Sequence, residues 1–222
     1  MTDKIRMAVV GCGAIGNIHA EVIVGLQNAQ LVAVSDVKLE NAQKFAGQYR
    51  CNAYADFKEM FRQEKIDIVC ICTPSGMRLD ICRAAAENGV NILVEKPLDI
   101  TYEHTEEIIN TCNSAGVKLG CVFQLRFLPV FRCLKKAVEE GRFGRLILGN
   151  ASTICYRSDD YYKDGAWRGT VALDGGGALM NQGIHNVDLL RWIMGNVKSV
   201  SAYKNTLTHD IEVEDTTVAS IE

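Results

Sequence analysis

The sequence lacks any segment in which basic residues are concentrated. Its 24 lysines and arginines are interspersed with 27 aspartates and glutamates, and the formal net charge is -3. A nucleic-acid backbone is bound through a basic stripe or patch on one face of a protein. We therefore expect no nucleic-acid partner.

Long apolar runs are missing as well. No run approaches the roughly 20 residues that a membrane-spanning helix needs. The N-terminal residues MTDKIRMAVV contain no apolar stretch followed by a small-residue cleavage site. We expect a cytoplasmic protein that does not act at a membrane.

The nine cysteines include no Cys-x-x-Cys pair. Most lie within apolar runs, and Cys70 and Cys72 fall in one predicted strand, where alternate side chains point to opposite faces. This pattern argues against a disulfide framework and against a metal site. It predicts reduced thiols that pack as small apolar side chains in a reducing compartment.

What the sequence does contain, near its start, is an apolar strand that runs into a glycine-rich turn. Residues 7–16 read MAVVGCGAIG and include Gly11-x-Gly13-x-x-Gly16. Gly11 permits a tight turn, Gly13 lets the backbone approach a pyrophosphate, and Gly16 lets the next helix pack closely on the strand. The spacing predicts a dinucleotide site rather than a turn without function.

The helix expected after this turn would begin at Ala14 and Ile15 and direct its N-terminal amides at the pyrophosphate. Asp36 ends the next apolar run twenty positions after Gly16, where an acid accepts hydrogen bonds from a ribose 2′-hydroxyl. A 2′-phosphate would be repelled there, which favours NAD over NADP although Lys38 is close in sequence. Helical spacing predicts that the helix packs through an apolar face, formed by Ile15, Ile18, Val22 and Leu26.

Apolar strand patterns alternate with helical patterns as far as residue 123, which predicts a doubly wound parallel sheet, a Rossmann domain of the α/β class, over residues 1–123. Gly89 and Gly116 follow helical patterns where a positive φ is wanted, and Thr101 precedes a helical pattern as an N-cap does. The predicted strands are 5–10, 31–35, 53–54, 67–72, 91–94 and 117–123. The first predicted helix begins at residue 14. The other predicted helices cover residues 39–47, 57–63, 76–88 and 102–115.

Residues 124–222 show a different pattern. It predicts helices over 130–140 and 178–194 and strands over 146–156, 199–207 and 212–221. The last strand alternates polar and apolar residues, as in an antiparallel sheet with one face packed on helices. We expect a second α+β domain with an open, mainly antiparallel sheet. We expect this domain to be incomplete, because no helix pattern follows the last strand. The sheet edge would then be covered by a partner, for which we expect a second copy of the chain, or be frayed.

Three segments follow predicted strands of the parallel sheet, whose carboxyl edge forms the ligand crevice in such folds. They are Thr73–Pro74, Glu95–Pro97 and the segment from Gln124 to Pro129, which includes Arg126. Lys96 lies between Glu95 and Pro97, close to where a nicotinamide ring would bind. The alternative for Lys96 is a surface lysine in a salt bridge.

A further cluster of polar residues is the segment 175–188, GGGALMNQGIHNVD. Asn181 and His185 are four residues apart and share one face of a helix, with about 5–6 Å between their Cβ atoms. The three glycines before them either allow close backbone approach or form a flexible turn. A single histidine on a helix is more often structural than catalytic, so both roles stay open for His185.

The segments GCGAIG, CTPSG, VEKPL, FQLRFLP and GGGALMNQGIHNVDLL together resemble the oxidoreductases of the glucose–fructose oxidoreductase, inositol dehydrogenase and MocA family. The resemblance covers essentially the whole chain. It implies an N-terminal Rossmann domain, a C-terminal domain whose open sheet commonly mediates oligomers, and NAD-dependent redox chemistry on sugars or polyols.

The same resemblance assigns catalytic roles to Lys96 and His185 and matches Asn181 to a position that is aspartate in many members. An amide cannot take up a proton, so His185 would act as the acid/base, Lys96 would assist it and Asn181 would orient the substrate. Asp188 would either hold the imidazole tautomer or brace the helix. Arg78 stands where many members have histidine.

The segment 156–185 is most similar to the branch that oxidises UDP-linked N-acetyl sugar acids at C3. Arg168, next to Trp167, would pair with a carboxylate or phosphate of such a substrate, or alternatively brace a loop. We expect Gln124 and Arg126 to contribute to the same substrate site, with Asn181 and His185.

The expected function is hydride transfer between a sugar hydroxyl and NAD. His185 would accept the hydroxyl proton and Lys96 would stabilise the alkoxide. The alternative is a protein of the same fold that binds NAD without turnover, either a sensor or an inactive fragment. The presence of Lys96 together with His185 favours the enzyme, because a sensor needs no proton acceptor beside the nicotinamide.

Overall fold

The structure is a computed structural model that describes residues 4–163 and 167–222. The backbone divides into two compact units, one ending at Val122 and the other beginning at Phe123. Among the helices of the described ranges, none is both long and apolar enough to cross a membrane.

The first unit alternates strands and helices. Its elements are β1 Ile5–Val10, α1 Ala14–Gly25, β2 Ala29–Ser35, α2 Leu39–Tyr49, β3 Asn52–Tyr54, α3 Phe57–Gln63, β4 Ile68–Ile71, a 3₁₀ turn Ser75–Met77, α4 Arg78–Glu87, β5 Asn91–Glu95, α5 Tyr102–Ala115 and β6 Leu119–Val122. The predicted boundaries agree with these to within a few residues. Thr101 caps α5 by accepting a hydrogen bond from the His104 amide, and Gly89 and Gly116 both have a φ of +69°.

The six strands form one parallel sheet in the order β3-β2-β1-β4-β5-β6. The predicted doubly wound sheet is therefore confirmed. The chain runs outward from β1 to β3 and then returns to β4 on the other side of β1. This reversal creates the crevice at the carboxyl ends of β1 and β4 in which such sheets bind ligands.

Helix α1 packs on the sheet through a different face from the one predicted from the sequence. Gly16, Ala20 and Ile23 are buried, whereas the predicted packing face is exposed. A Cβ on Gly16 would lie 2.0 Å from the carbonyl oxygen of Gly11, so the helix is too close to the preceding strand for large side chains to fit between them. The residues of the predicted face are 44 to 59% exposed and are Ile15, Ile18, Val22 and Leu26.

The second unit contains a 3₁₀ turn and helices followed by a small antiparallel sheet. Its elements are the 3₁₀ turn Gln124–Phe127, α6 Pro129–Glu139, α7 Asp159–Lys163, a π-helical turn Leu179–Gly183 that continues as α8 Ile184–Met194, β7 Val200–Asn205 and β8 Thr216–Ile221. The two strands pair antiparallel, with Val200 opposite Ile221. Helix α7 was not predicted, and it lies between the strand predicted over 146–156 and the helix predicted over 178–194.

The strand predicted over residues 146–156 is wrong. These residues have no regular secondary structure, and Ile147, Leu148 and Ile154 are 86 to 97% exposed. A strand needs a neighbour to which its backbone groups can bond. Within the described ranges the sheets are the six-stranded one and the β7–β8 pair, and neither includes this segment.

Candidate functional site

The turn between β1 and α1 contains glycines that serve different purposes. Gly11 has a φ of +98°, and a Cβ there would lie 2.8 Å from the carbonyl carbon of Cys72 at the end of β4. Gly16 is required by the contact with Gly11 described above. In contrast, a Cβ on Gly13 would meet nothing within 4 Å. The protein itself does not need glycine at position 13, so the open space there is available to a ligand.

The open space at Gly13 lies at the N-terminus of α1. Gly13 is the N-cap residue of this helix and has no side chain with which to cap its first amides. The first amide groups of a helix have no partner within the helix, and together with the helix dipole they attract anions. Ala14 and Ile15, the first residues of α1, therefore lie where the sequence predicts pyrophosphate contacts.

Asp36 follows β2, and its carboxylate is held by backbone amides. Oδ2 accepts a hydrogen bond from the Cys12 amide at 3.0 Å, and Oδ1 accepts one from the Lys38 amide at 2.9 Å. Burial and the charge of Asp36 raise the pKa of the Cys12 thiol to about 12, so this thiol stays protonated. A carboxylate fixed in this way beside the glycine turn keeps lone pairs for further hydrogen-bond donors.

Glu95 is the last residue of β5 and Lys96 follows it; Glu95 also contacts His19, which was not predicted from the sequence. Glu95 Oε1 lies 3.0 Å from His19 Nε2, and Glu95 Oε2 accepts a hydrogen bond from the Lys96 amide at 3.2 Å. Burial works to raise the pKa of Glu95, but the hydrogen bond and charge of His19, together with Lys96, outweigh it and lower the pKa. The carboxyl before Lys96 is therefore ionised. The Lys96–Pro97 peptide bond is cis.

Thr73 and Pro74 follow β4 at the same edge of the sheet. The Thr73 hydroxyl is buried and has no hydrogen-bond partner among the described residues. Buried hydroxyls in proteins are normally satisfied. A polar ligand group at this position would supply the missing partner.

In the second unit, Glu214 holds the start of the helix that carries Asn181 and His185. Its carboxylate accepts a hydrogen bond from the Gly177 amide at 3.0 Å, and its backbone oxygen accepts one from the Ala178 amide at 2.8 Å. A Cβ on Gly177 would lie 1.6 Å from that backbone oxygen. The sequence left open whether the glycine run serves close approach or flexibility, and at Gly177 the structure shows close approach.

Asn181 lies in the π-helical turn, a feature that is frequent at functional sites. Its amide nitrogen donates to Asp174 Oδ1 at 3.2 Å, and Asp174 Oδ2 accepts a hydrogen bond from the Gly169 amide at 2.9 Å. Asp174 is buried. Because a carboxylate can only accept, it fixes which end of the Asn181 amide donates. The role of Asp174 as the partner of Asn181 was not predicted from the sequence.

His185 is the second residue of α8, and its ring packs edge-on against Phe123 with 6.3 Å between centroids. Asp188, on the same helix, accepts hydrogen bonds from Arg126 Nε at 2.7 Å and from Arg126 Nη2. Of the two roles predicted for Asp188, this contact favours bracing. The Arg126 guanidinium also lies over the ring of Trp192, 5.5 Å from its centroid.

The other predicted substrate residues lie in two segments of the second unit. Arg168 donates to the backbone oxygen of Tyr161 at 3.1 Å and lies over the rings of Tyr161 and Trp167. These contacts match the loop-bracing alternative. Gln124 is exposed at the start of the 3₁₀ turn. In residues 4–163 and 167–222 there is no group of three or more residues that could hold a metal ion.

Comparison with known proteins identifies the family. A family model described as an oxidoreductase family with an NAD-binding Rossmann fold matches residues 5–123, and a second model, the GFO/IDH/MocA C-terminal domain, matches residues 131–222. The chain belongs to the Gfo/Idh/MocA oxidoreductase family. The predicted resemblance is thereby confirmed, and NAD is the cofactor named for the family.

The relatives of this family member include sugar and polyol dehydrogenases. Inositol 2-dehydrogenase of Rhizobium meliloti is 31% identical over 86% of the chain, and D-glucoside 3-dehydrogenase of Escherichia coli is 30% identical over 91%. The WlbA dehydrogenase of Chromobacterium violaceum, solved with NADH and UDP-GlcNAcA, is 37% identical over 100% of the chain with a TM-score of 0.96. The chain spans 55%, 58% and 65% of the lengths of these three proteins.

Alanine substitutions at Gly13 and Gly16 should separate ligand binding from folding. We expect G13A to unfold at the same temperature as the wild type but to lose at least about tenfold in NADH affinity, because its methyl group occupies space that only a pyrophosphate needs. We expect G16A to lower the unfolding temperature, because its methyl group collides with the Gly11 carbonyl. Calorimetry and NADH titration measure the two effects. Unchanged NADH affinity in G13A would contradict this assignment of the turn.

Replacing Asn181 with aspartate should make the stability of the second unit pH-dependent. In N181D two carboxyl groups adjoin, and the charge of Asp174 raises the pKa of the introduced carboxyl. A group with a raised folded-state pKa stabilises the fold only while it is protonated, so we expect the unfolding temperature to fall from about pH 5 to about pH 8. The double variant D174N/N181D restores a carboxylate–amide pair and serves as the control. An N181D variant with the pH profile of the wild type would refute the predicted contact.

Proposed function

We propose that this family member is an NAD-dependent dehydrogenase that transfers a hydride between a hydroxyl-bearing carbon of a sugar derivative and nicotinamide. The observation that supports this most directly is the open space at Gly13, at the N-terminus of α1. A pyrophosphate in this space would face the first amides of α1, which attract an anion. The buried Thr73 hydroxyl at the neighbouring strand end offers a further contact.

The proposed cofactor is NAD rather than NADP. Asp36 is held by the Cys12 amide of the glycine turn and by the Lys38 amide of its own loop, so its carboxylate cannot swing away without losing both hydrogen bonds. A ribose 2′-hydroxyl would donate to this carboxylate, whereas a 2′-phosphate would be repelled by it.

When bound, NAD accepts the hydride from the substrate carbon; the remaining chemistry is assigned to residues of the chain. His185 takes up the proton of the substrate hydroxyl, and the ammonium group of Lys96 stabilises the developing alkoxide. Asn181 orients the substrate, with Asp174 fixing the direction of its amide. Asn181 itself transfers no proton, because an amide cannot accept one at neutral pH.

The proposed substrate class is a nucleotide-linked sugar acid. Support comes from the likeness to the WlbA structure, which contains UDP-GlcNAcA and aligns over the whole chain. Trp167, Arg168, Gln124 and Arg126 are the proposed substrate contacts. The Arg168 guanidinium lies over the rings of Tyr161 and Trp167, 4.4 and 5.5 Å from their centroids, and a guanidinium can pair bidentately with a carboxylate or phosphate.

Alanine substitution of Lys96 or of His185 tests the reaction. We expect K96A and H185A each to lower turnover by about 100-fold or more, because each removes a group that acts only on the transition state. NADH affinity should change little. Turnover is followed by NADH absorbance with UDP-sugar acids, inositols and glucosides as substrates.

K44A, at a position outside the proposed site, is the matched control for K96A. Wild-type turnover in K96A or H185A would remove that residue from the mechanism. If the unmodified chain binds NADH but turns over none of these substrates, the non-catalytic sensor is the better description.

We also propose that the chain acts in the cytoplasm and self-associates through the β7–β8 sheet. The cysteines form no disulfide, and burial raises the pKa of Cys70 to about 12, as expected of thiols that stay reduced. Every residue of β7 is exposed, and an isolated two-stranded sheet is only marginally stable.

Sedimentation velocity tests the self-association. We expect the wild-type chain to sediment as a dimer or larger species and Y203E/V218E to shift toward the monomer, because the two charges would be buried in the interface. The pair Lys204→Glu and Thr217→Glu, on the opposite face of the same strands, is the control. A monomeric wild-type chain at all concentrations tested would overturn the proposal.

A further inference from the structure

Arg78, the first residue of α4, has a charged side chain in the interior of the first unit. It is 4% exposed. Burial lowers the pKa of its guanidinium, and the nearby carboxylates of Glu95 and Asp99 oppose that shift. Because a buried charge is costly unless its donors are satisfied, a built set of acceptors is expected around it.

The acceptors are three backbone carbonyl oxygens from two loops. Nε and Nη2 of Arg78 donate to the Thr73 oxygen at 3.3 and 3.0 Å. Nη1 donates to the oxygens of Glu95 and Pro97. The guanidinium therefore joins the loop after β4 to the loop after β5, and it contacts the backbone immediately before and immediately after Lys96.

These contacts begin where the hydrogen bonding between β4 and β5 ends. The pairing of the two strands runs from Ile68 opposite Asn91 to Ile71 opposite Val94. Beyond Ile71 and Val94 the two backbone segments no longer pair with each other. Arg78 donates hydrogen bonds to both of them. A guanidinium group is suited to link two loops, because it is rigid and planar and its N–H donors point toward acceptors in different directions.

We propose that Arg78 is a positioning residue that fixes the backbone on both sides of Lys96 and holds the Thr73 turn against it. The inference rests on the proposed function for the chemistry that Lys96 performs. It concerns the geometry of the loop, so it can be measured without turnover. Arg78 acts through the backbone and does not itself contact the substrate.

The test replaces Arg78 with methionine, which keeps most of the side-chain volume and removes the donors. We expect amide hydrogen exchange in R78M to accelerate about tenfold or more in peptides covering 73–77 and 95–100, with little change elsewhere in the first unit. We expect kcat to fall about tenfold or more while the KM for NAD changes less than about threefold, since a displaced Lys96 affects the transition state more than cofactor binding.

R83M is the matched control on the same helix. Arg83 links α4 to α5 through Glu107 and also contacts Asp80, so its loss removes ion pairs without touching either loop. We expect wild-type exchange in 73–77 and 95–100 and wild-type kcat in R83M.

The outcomes separate this proposal from the proposed function. Unchanged exchange at 73–77 and 95–100 in R78M would overturn the positioning role, as would acceleration spread evenly over the first unit. If R78M does not fold, R78K decides: faster exchange in the two peptides than in wild type supports the role, and wild-type exchange and kcat in R78K overturn it. If the wild-type chain has no turnover on any substrate, the proposed function fails, whereas the exchange measurements still decide the role of Arg78.

Discussion

The architecture of the first unit depends on one backbone-to-backbone contact, the approach of α1 to the turn that precedes it. The Gly16 Cα lies so close to the Gly11 carbonyl that no side chain fits between them. This contact sets the direction in which the helix leaves the strand, and with it the position of the N-terminal amides of α1. The open space at Gly13 and the carboxylate of Asp36 are placed around the same turn. A contact between backbone groups therefore positions the amides of α1, and the Asp36 side chain is held by the backbone of the same turn.

Much of this arrangement could be read from the sequence, because the signals are local. The glycine spacing, the alternation of strands and helices and the terminal residues of several helices each involve a few neighbouring positions. The face of α1 could not be predicted in the same way. Apolar spacing indicated Ile15 and Ile18, but the close approach to the strand admits only small residues, and Gly16 and Ala20 occupy the contact instead.

The contacts that the sequence did not reveal join residues that are distant along the chain. His19 meets Glu95 across 76 positions, Arg78 meets Pro97 across 19, and Glu214 meets Gly177 across 37. Neither hydrophobic periodicity nor a sequence motif indicates which distant residues form such contacts. The strand expected over 146–156 failed for a related reason, because an extended segment becomes a strand only when another segment pairs with it. In both cases the outcome depends on tertiary contacts, which the local sequence does not show.

The way in which Asp36 is held has a consequence for how the chain could change over evolution. Its main anchors are the amides of Cys12 and Lys38, which are present whatever side chains those two positions carry. Neighbouring positions can therefore drift without disturbing the carboxylate, while exchange of the single acidic side chain would remove the barrier to a phosphorylated ribose. Under the proposed preference for NAD, discrimination between the two dinucleotides rests on one carboxylate, whose backbone anchors do not depend on the neighbouring side chains.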